Sequence, residues 1–173
     1  SAPSMRDIAP ALRAWRERAV SGHFSGAPAW IDYDEHLREP LARLVGADPV
    51  DIVVMNTLTV NLHLLMVSFY RPAGERRKIL IEKHAFPSDR YAVESQIRFH
   101  GLDPADCLVE LEPETASGLI EESSVEDYLR GNGDEVALVL WPGIQYASGQ
   151  LFDLSRIAAA GRAASASVGF DLA

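Results

Sequence analysis

The spacing of apolar residues breaks the chain into short alternating elements. Residues 6–20 place Ile8, Leu12, Trp15 and Val20 roughly on one side of a helix. Residues 33–45 do the same with Leu37, Leu41, Leu44 and Val45, and Pro40 among them predicts a kink or an early break. Glycine and proline punctuate 22–28 as a loop, and Asp48-Pro49-Val50-Asp51 reads as a turn. The apolar run Ile52-Val53-Val54-Met55 predicts a strand. Asn56 and Thr57, both N-cap types, follow it. Leu58, Leu62, Leu65, Met66 and Phe69 then recur at helical spacing and predict a well-buried helix.

Further on, apolar runs predict strands over 78–82, 107–111, 136–140 and 167–171. Between them the pattern predicts a helix opening at Pro87 and running to about 100, a short one over 124–130, and one capped by Asp153 that runs to about 164. Uninterrupted apolar strands joined by helices imply an α/β fold with a largely parallel sheet flanked by helices. The expected organisation is an N-terminal helical segment over 1–47 and a sheet-bearing domain over 48–173. Ligands of such sheets bind beyond the strand C-termini. That directs attention to 56–59, 83–89, 141–146 and Asp171.

Composition narrows the classes. At 173 residues and 47% hydrophobic, the chain is long enough to bury a real core. No run of eighteen apolar residues predicts a membrane span, and the first residues lack the apolar core of a signal peptide. Sixteen basic against twenty-five acidic residues give a formal charge of −9, which disfavours non-specific nucleic-acid binding. The single cysteine, Cys107, rules out an internal disulfide and fits a reducing, cytoplasmic setting. Lys78 and Lys83 are the only lysines.

Three places could carry chemistry. The step at Asn56-Thr57-Leu58-Thr59 offers a helix N-terminus suited to an anion, although simple capping by Thr57 is the plainer reading. Phe86-Pro87-Ser88-Asp89 offers a stacking ring and a carboxylate. The plainer alternative is a hydrophobic staple with a first-turn acid. Asp171 ends the apolar strand Val168-Gly169-Phe170, where a half-buried carboxylate needs a partner such as the protonated ring nitrogen of a cofactor. His23 lies in the glycine-rich loop beside Phe24. The histidines show no metal spacing, and no CxxC, glycine-rich phosphate fingerprint or Ser–His–Asp pattern occurs.

Phe86-Pro87-Ser88-Asp89 and Gly169-Phe170-Asp171-Leu172-Ala173 resemble the kynureninases. So do the run from Met55 to Met66, Gly101-Leu102, Gly149-Gln150 and Gly161, so that the resemblance covers nearly the whole chain. It implies a fold-type-I enzyme of pyridoxal 5′-phosphate (PLP), a cytoplasmic homodimer. The implied reaction is hydrolysis of L-kynurenine or 3-hydroxykynurenine to an anthranilate and L-alanine, in tryptophan catabolism on the way to NAD biosynthesis.

The resemblance also implies roles for matched residues. Leu58 and Thr59 would hold the cofactor phosphate, and Phe86 would stack on its ring. Pro87, Ser88 and Asp89 would complete that wall, and Asp171 would pair with the ring N–H⁺. Pro142 falls at a cofactor-wall position but offers no side-chain hydrogen bond. His23 would stand on the substrate side. The lysine that bonds covalently to the cofactor is expected beyond Ala173, with neither Lys78 nor Lys83 in its place, so no catalytic residue is expected within the chain. The rivals are a cysteine desulfurase-like lyase, in which a histidine rather than Phe86 is expected on the ring, and a non-catalytic binding or dimerising module.

Overall fold

A computed structural model describes residues 5–113 and 118–173, with side chains from residue 8 onward. The chain divides into two compact units, 1–56 and 57–173.

The first unit holds α1 (Met5–Arg18), a 3-10 turn over Ala19–His23, and α2 (Glu35–Val45). Pro40 neither breaks α2 nor ends it. The helix loses one backbone bond there but runs on to a left-handed Gly46, whose N–H bonds the carbonyl of Ala42. The expected strand over 52–55 does not form. The stretch has no hydrogen-bonded partner strand, and apolar character alone does not make a ladder.

The second unit carries α3 (Leu58–Phe69), β1 (Lys78–Glu82), α4 (Pro87–Phe99), α5 (Pro104–Cys107), β2 (Leu108–Leu111), α6 (Glu122–Asn132), β3 (Val136–Pro142), α7 (Leu154–Ala163) and β4 (Ser167–Asp171). The strands form one sheet in the order β2-β1-β3-β4, parallel throughout. The run Ile79-Leu80-Ile81 is buried on both faces, as a central parallel strand requires. On one face Ile79, Ile81 and Leu140 pack with Leu62 and Met66 of α3 and with Val93 and Ile97 of α4. On the other, Leu80, Val139 and Trp141 pack with Val125 of α6 and Ile157 of α7. Asp153 caps α7 as expected, its Oδ1 accepting from the Arg156 N–H at 3.2 Å.

The chain leaves β1 for β2 on one side and returns to β3 on the other. The crevice between the C-terminal ends of β1 and β3 is therefore a topological switch point, the place where open parallel sheets receive ligands. Helix α3 departs from expectation. Of its large apolar side chains only Leu62 and Met66 are buried, while Leu58, Val60, Leu64, Leu65, Val67 and Phe69 are exposed.

Candidate functional site

A cavity of about 230 Å³ opens at that switch point. Strand β1 ends in it with Ile81 and Glu82, β3 with Leu140, Trp141 and Pro142, and β4 with Asp171. Leu58 at the start of α3, Phe86, Asp89 and Arg90 at the start of α4, and Tyr146 from the loop after β3 add to the wall.

Loop geometry sets the aromatic side. His84 takes a left-handed conformation, φ 61°, which costs a residue with a Cβ on the order of 1 kcal/mol. A clip offsets it: the buried Gln145 donates from Nε2 to the His84 carbonyl at 3.1 Å. Gln145 Oε1 meanwhile accepts from the N–H groups of Ala147 and Ser148, at 2.6 and 2.8 Å. One side chain thus ties the loop after β1 to the loop after β3. The two loops present Phe86 and Tyr146 edge to face, centroids 5.1 Å apart. Phe86 stays 49% exposed, a ring with an open face at the mouth of the cavity.

Carboxyls line the same cavity. Asp171 and Pro142 are register partners on β4 and β3. Asp171 Oδ1 accepts from the Ala173 N–H at 3.0 Å, and Asp89 Oδ1 accepts from the Ser88 hydroxyl at 3.2 Å. Asp89, 7% exposed, has its pKa pushed up to about 6, first by burial and then by the hydrogen bond and charge of Asp171, against the pull of Ser88. Two carboxyls share one site, and among the described residues neither has an ion-pair partner. Glu82, at the end of β1, is 1% exposed, and its pKa is pushed up to about 7 by burial, with Asp89 adding to the rise and the Gln145 amide opposing it.

The nearby cations are committed elsewhere. Arg90 Nε donates to Glu110 at 3.0 Å, and Lys83 Nζ lies 3.2 Å from Glu112 and 3.6 Å from Glu110. Lys83 is therefore held at the β2 edge and takes no part in the cavity wall. Lys78 begins β1, at the opposite end of the sheet, paired with Glu135.

At the start of α3, Thr57 is the N-cap residue but makes no side-chain cap bond. The capping expected of it is absent, and the first-turn N–H groups have no acceptor within the helix. Among the described residues no cluster of His, Cys, Asp and Glu is arranged to hold a metal ion.

Of the residues singled out from sequence, Leu58, Phe86, Asp89, Pro142 and Asp171 meet at this cavity. Ser88 reaches it through Asp89, and Thr59 and Pro87 are not part of the wall. His23 belongs to the first unit, its ring edge-on to Trp30 at 5.5 Å. Gln145 and Tyr146 fall within the stretch 141–146 that the strand ends point to, though the sequence gives neither a role, and Glu82 lies just outside those stretches. Yet Glu82 carries the signal that pointed to Asp171, a carboxylate closing an apolar strand.

The chain is 54% identical over 162 residues to a kynureninase of Stenotrophomonas maltophilia, and 55% identical over 162 residues to one of Salinispora tropica. Along nearly its whole length the chain is similar to a segment of the kynureninases. Each alignment takes in 94% of the chain but 38% of the relative, so the chain spans well under half the length of these kynureninases. No family model matches it. Among solved structures the fold is that of a cysteine desulfurase from Thermococcus onnurineus NA1, with a TM-score of 0.68 at 16% identity over 95% of the chain and 41% of that protein. The cystine C-S lyase C-DES superposes with a TM-score of 0.65 at 18% identity, over 94% of the chain and 40% of the lyase. This is the fold-type-I architecture of PLP enzymes.

Proposed function

We propose that this cavity is part of the PLP site of a kynureninase, which hydrolyses L-kynurenine to anthranilate and L-alanine. One observation carries the reading. Asp89 and Asp171 share a site without an ion-pair partner, in the same cavity as the half-exposed ring of Phe86, in a chain that is 54% identical to kynureninases.

The residues fit the cofactor. A protonated pyridine supplies the cation that two adjoining carboxyls lack. Phe86 offers the flat apolar surface a pyridine ring stacks on. The start of α3 at Leu58, where the Thr57 side chain makes no cap bond, suits a phosphate, because helix N-termini attract anions.

When bound, PLP supplies an electron sink for charge developing at the substrate α-carbon. The chain's own residues hold that sink ready. Asp171 keeps a proton on the ring nitrogen, Asp89 and Ser88 brace Asp171, and Phe86 fixes the ring plane. Thr59 joins Leu58 at the phosphate, Pro87 sets the start of α4, and Pro142 supports the wall beside Asp171. His23 serves the aryl side of the substrate. The complete enzyme works as a cytoplasmic homodimer, with 48–173 as part of its large domain.

The same fold in cysteine desulfurases motivates a second reading, sulfur release from cysteine. The test is to give the complete enzyme, loaded with PLP, each substrate in turn. Formation of anthranilate and alanine from L-kynurenine is expected. Sulfide release from cysteine with no kynurenine turnover would reverse the assignment.

A further inference from the structure

The mechanism just described leaves Glu82 unused, although it is the most deeply buried carboxyl at the site. It lies 1% exposed in the cavity wall, and its Oε2 has no hydrogen-bond partner. Burying a carboxylate without a cation costs several kcal/mol, so such a group is found protonated unless function holds it otherwise.

Among the described residues the surroundings offer no uncommitted cation. The charged groups sharing its cavity are Asp89 and Arg90 on α4 and Asp171 on β4. Arg90 is bound to Glu110, and the neighbouring Lys83 to Glu110 and Glu112. What remains are neutral donors. The Gln145 amide hydrogen-bonds the Glu82 carboxyl and opposes its protonation only in part. Leu80 pairs in register with Val139, which sets Glu82 beside Trp141 on the adjoining strand and the same face. The indole Nε1 of Trp141 is likewise buried and without a partner. Adjacent strands lie about 4.8 Å apart, near enough for one bridging water between indole and carboxyl.

We propose that Glu82 is a positioning residue for the cofactor: an uncharged acid in the cavity wall it shares with Asp89, whose unpartnered O–H supports that carboxylate while the Asp89–Asp171 pair faces the ring N–H⁺. This rests on the PLP reading above. It explains why an acid stands at the end of β1, where an apolar side chain would pack at lower cost. With Glu82 neutral, the three carboxyls present two negative charges to the pyridinium. Were it ionised, they would present three at one end of a low-dielectric site.

The test compares Glu82→Gln and Glu82→Met in the complete enzyme, stripped of PLP and titrated with PLP. The amide keeps a neutral donor in nearly the same shape, so Glu82→Gln is expected to bind PLP within about twofold of wild type. The thioether has no donor, and losing a hydrogen bond to a charged acceptor weakens binding roughly tenfold or more.

Thermal unfolding of the cofactor-free proteins supplies a readout that a merely structural role would not give. Glu82→Met is expected to unfold at the same or a higher temperature, because it removes a buried polar group that lacks a full set of partners. Lower PLP affinity without lower apo stability supports the proposal. Wild-type affinity in Glu82→Met overturns it. So does a Glu82→Gln variant that loses roughly tenfold, since that would mean the charge is needed; this arm decides the matter even if Glu82→Met fails to fold. If the wild-type enzyme binds no PLP, the underlying reading falls and this proposal with it.

Discussion

Asp171 and Asp89 differ in what a single atom does for each. Asp171 sits in register with Pro142 at the last paired position of β4, and the Ala173 N–H orients its Oδ1. Asp89 lies deeper and is tied to Ser88. In the complete enzyme, Asp171→Asn keeps the shape but removes the charge that holds the ring proton. Turnover of L-kynurenine is expected to fall roughly a hundredfold with PLP still bound. Asp89→Asn, one step removed, should cost less. Steady-state rates with PLP occupancy read by absorbance decide it, and near-wild-type turnover of Asp171→Asn would remove the main support for the PLP assignment.

The same carboxyls make stability depend on pH. Asp89 rises from 3.8 to about 6 and Glu82 from 4.5 to about 7, so the folded state holds these protons more tightly than the unfolded one. Their contribution is fully present below the unfolded values and is lost as pH climbs through 6 and 7. Glu110 and Glu126, lowered by arginine partners, act below about 4.5 and do not interfere in that range. The apo chain should melt at a lower temperature at pH 8 than at pH 5, and the double variant Asp89→Asn, Glu82→Gln should flatten the slope. A slope that survives both substitutions would assign it to other groups.

At the scale of elements, helix α7 shows how closely the layers approach. A Cβ at Gly161 would overlap the Val168 side chain on β4 beneath it. Alanine gains about 1 kcal/mol over glycine inside a helix, whereas overpacking a tight core costs about 1–3 kcal/mol. Gly161→Ala should therefore destabilise by about 1 kcal/mol in urea unfolding, and Val168→Ala in the same chain should recover much of it; a stabilised Gly161→Ala would show that α7 simply lifts.

This element-level picture was largely legible in the sequence. Strands buried on both faces leave uninterrupted runs such as Ile79-Leu80-Ile81, and Asp153 announced α7. Two features were not legible. Pro40 does not stop α2, because the helix gives up one backbone bond there while the turns on either side keep theirs. Residues 52–55 look like a strand, yet pairing depends on a partner the local pattern does not encode. At the site, Phe86, Asp89 and Asp171 were legible because each follows a strand. Gln145 was not, since its role lies in linking two loops far apart in sequence.

For the molecule as a whole, α3 is decisive. Its mean composition is strongly apolar on every side, but the sheet and α4 cover only the stripe through Leu62 and Met66. Val67 and Phe69 are each 57% exposed, and Val60, Leu64 and Leu65 are exposed beside them. Helices hydrophobic all round belong inside larger bodies, and contiguous apolar patches in water drive association. The chain by itself should therefore form dimers or larger species at micromolar concentration, visible by light scattering, and bind an apolar-surface dye. Leu65→Lys with Val67→Glu places charge on that face while leaving Leu62 and Met66 in the core, so it should shift the population toward monomer with little loss of helix by circular dichroism. The complete enzyme offers the contrast. There the same face is expected to be covered, so the two charges should destabilise the folded protein or its assembly instead of making it more soluble. A monodisperse wild-type monomer without dye binding would show that this face is tolerated in water. The low hydration cost that implies would have to come from the neighbouring polar side chains Asn61, His63 and Ser68.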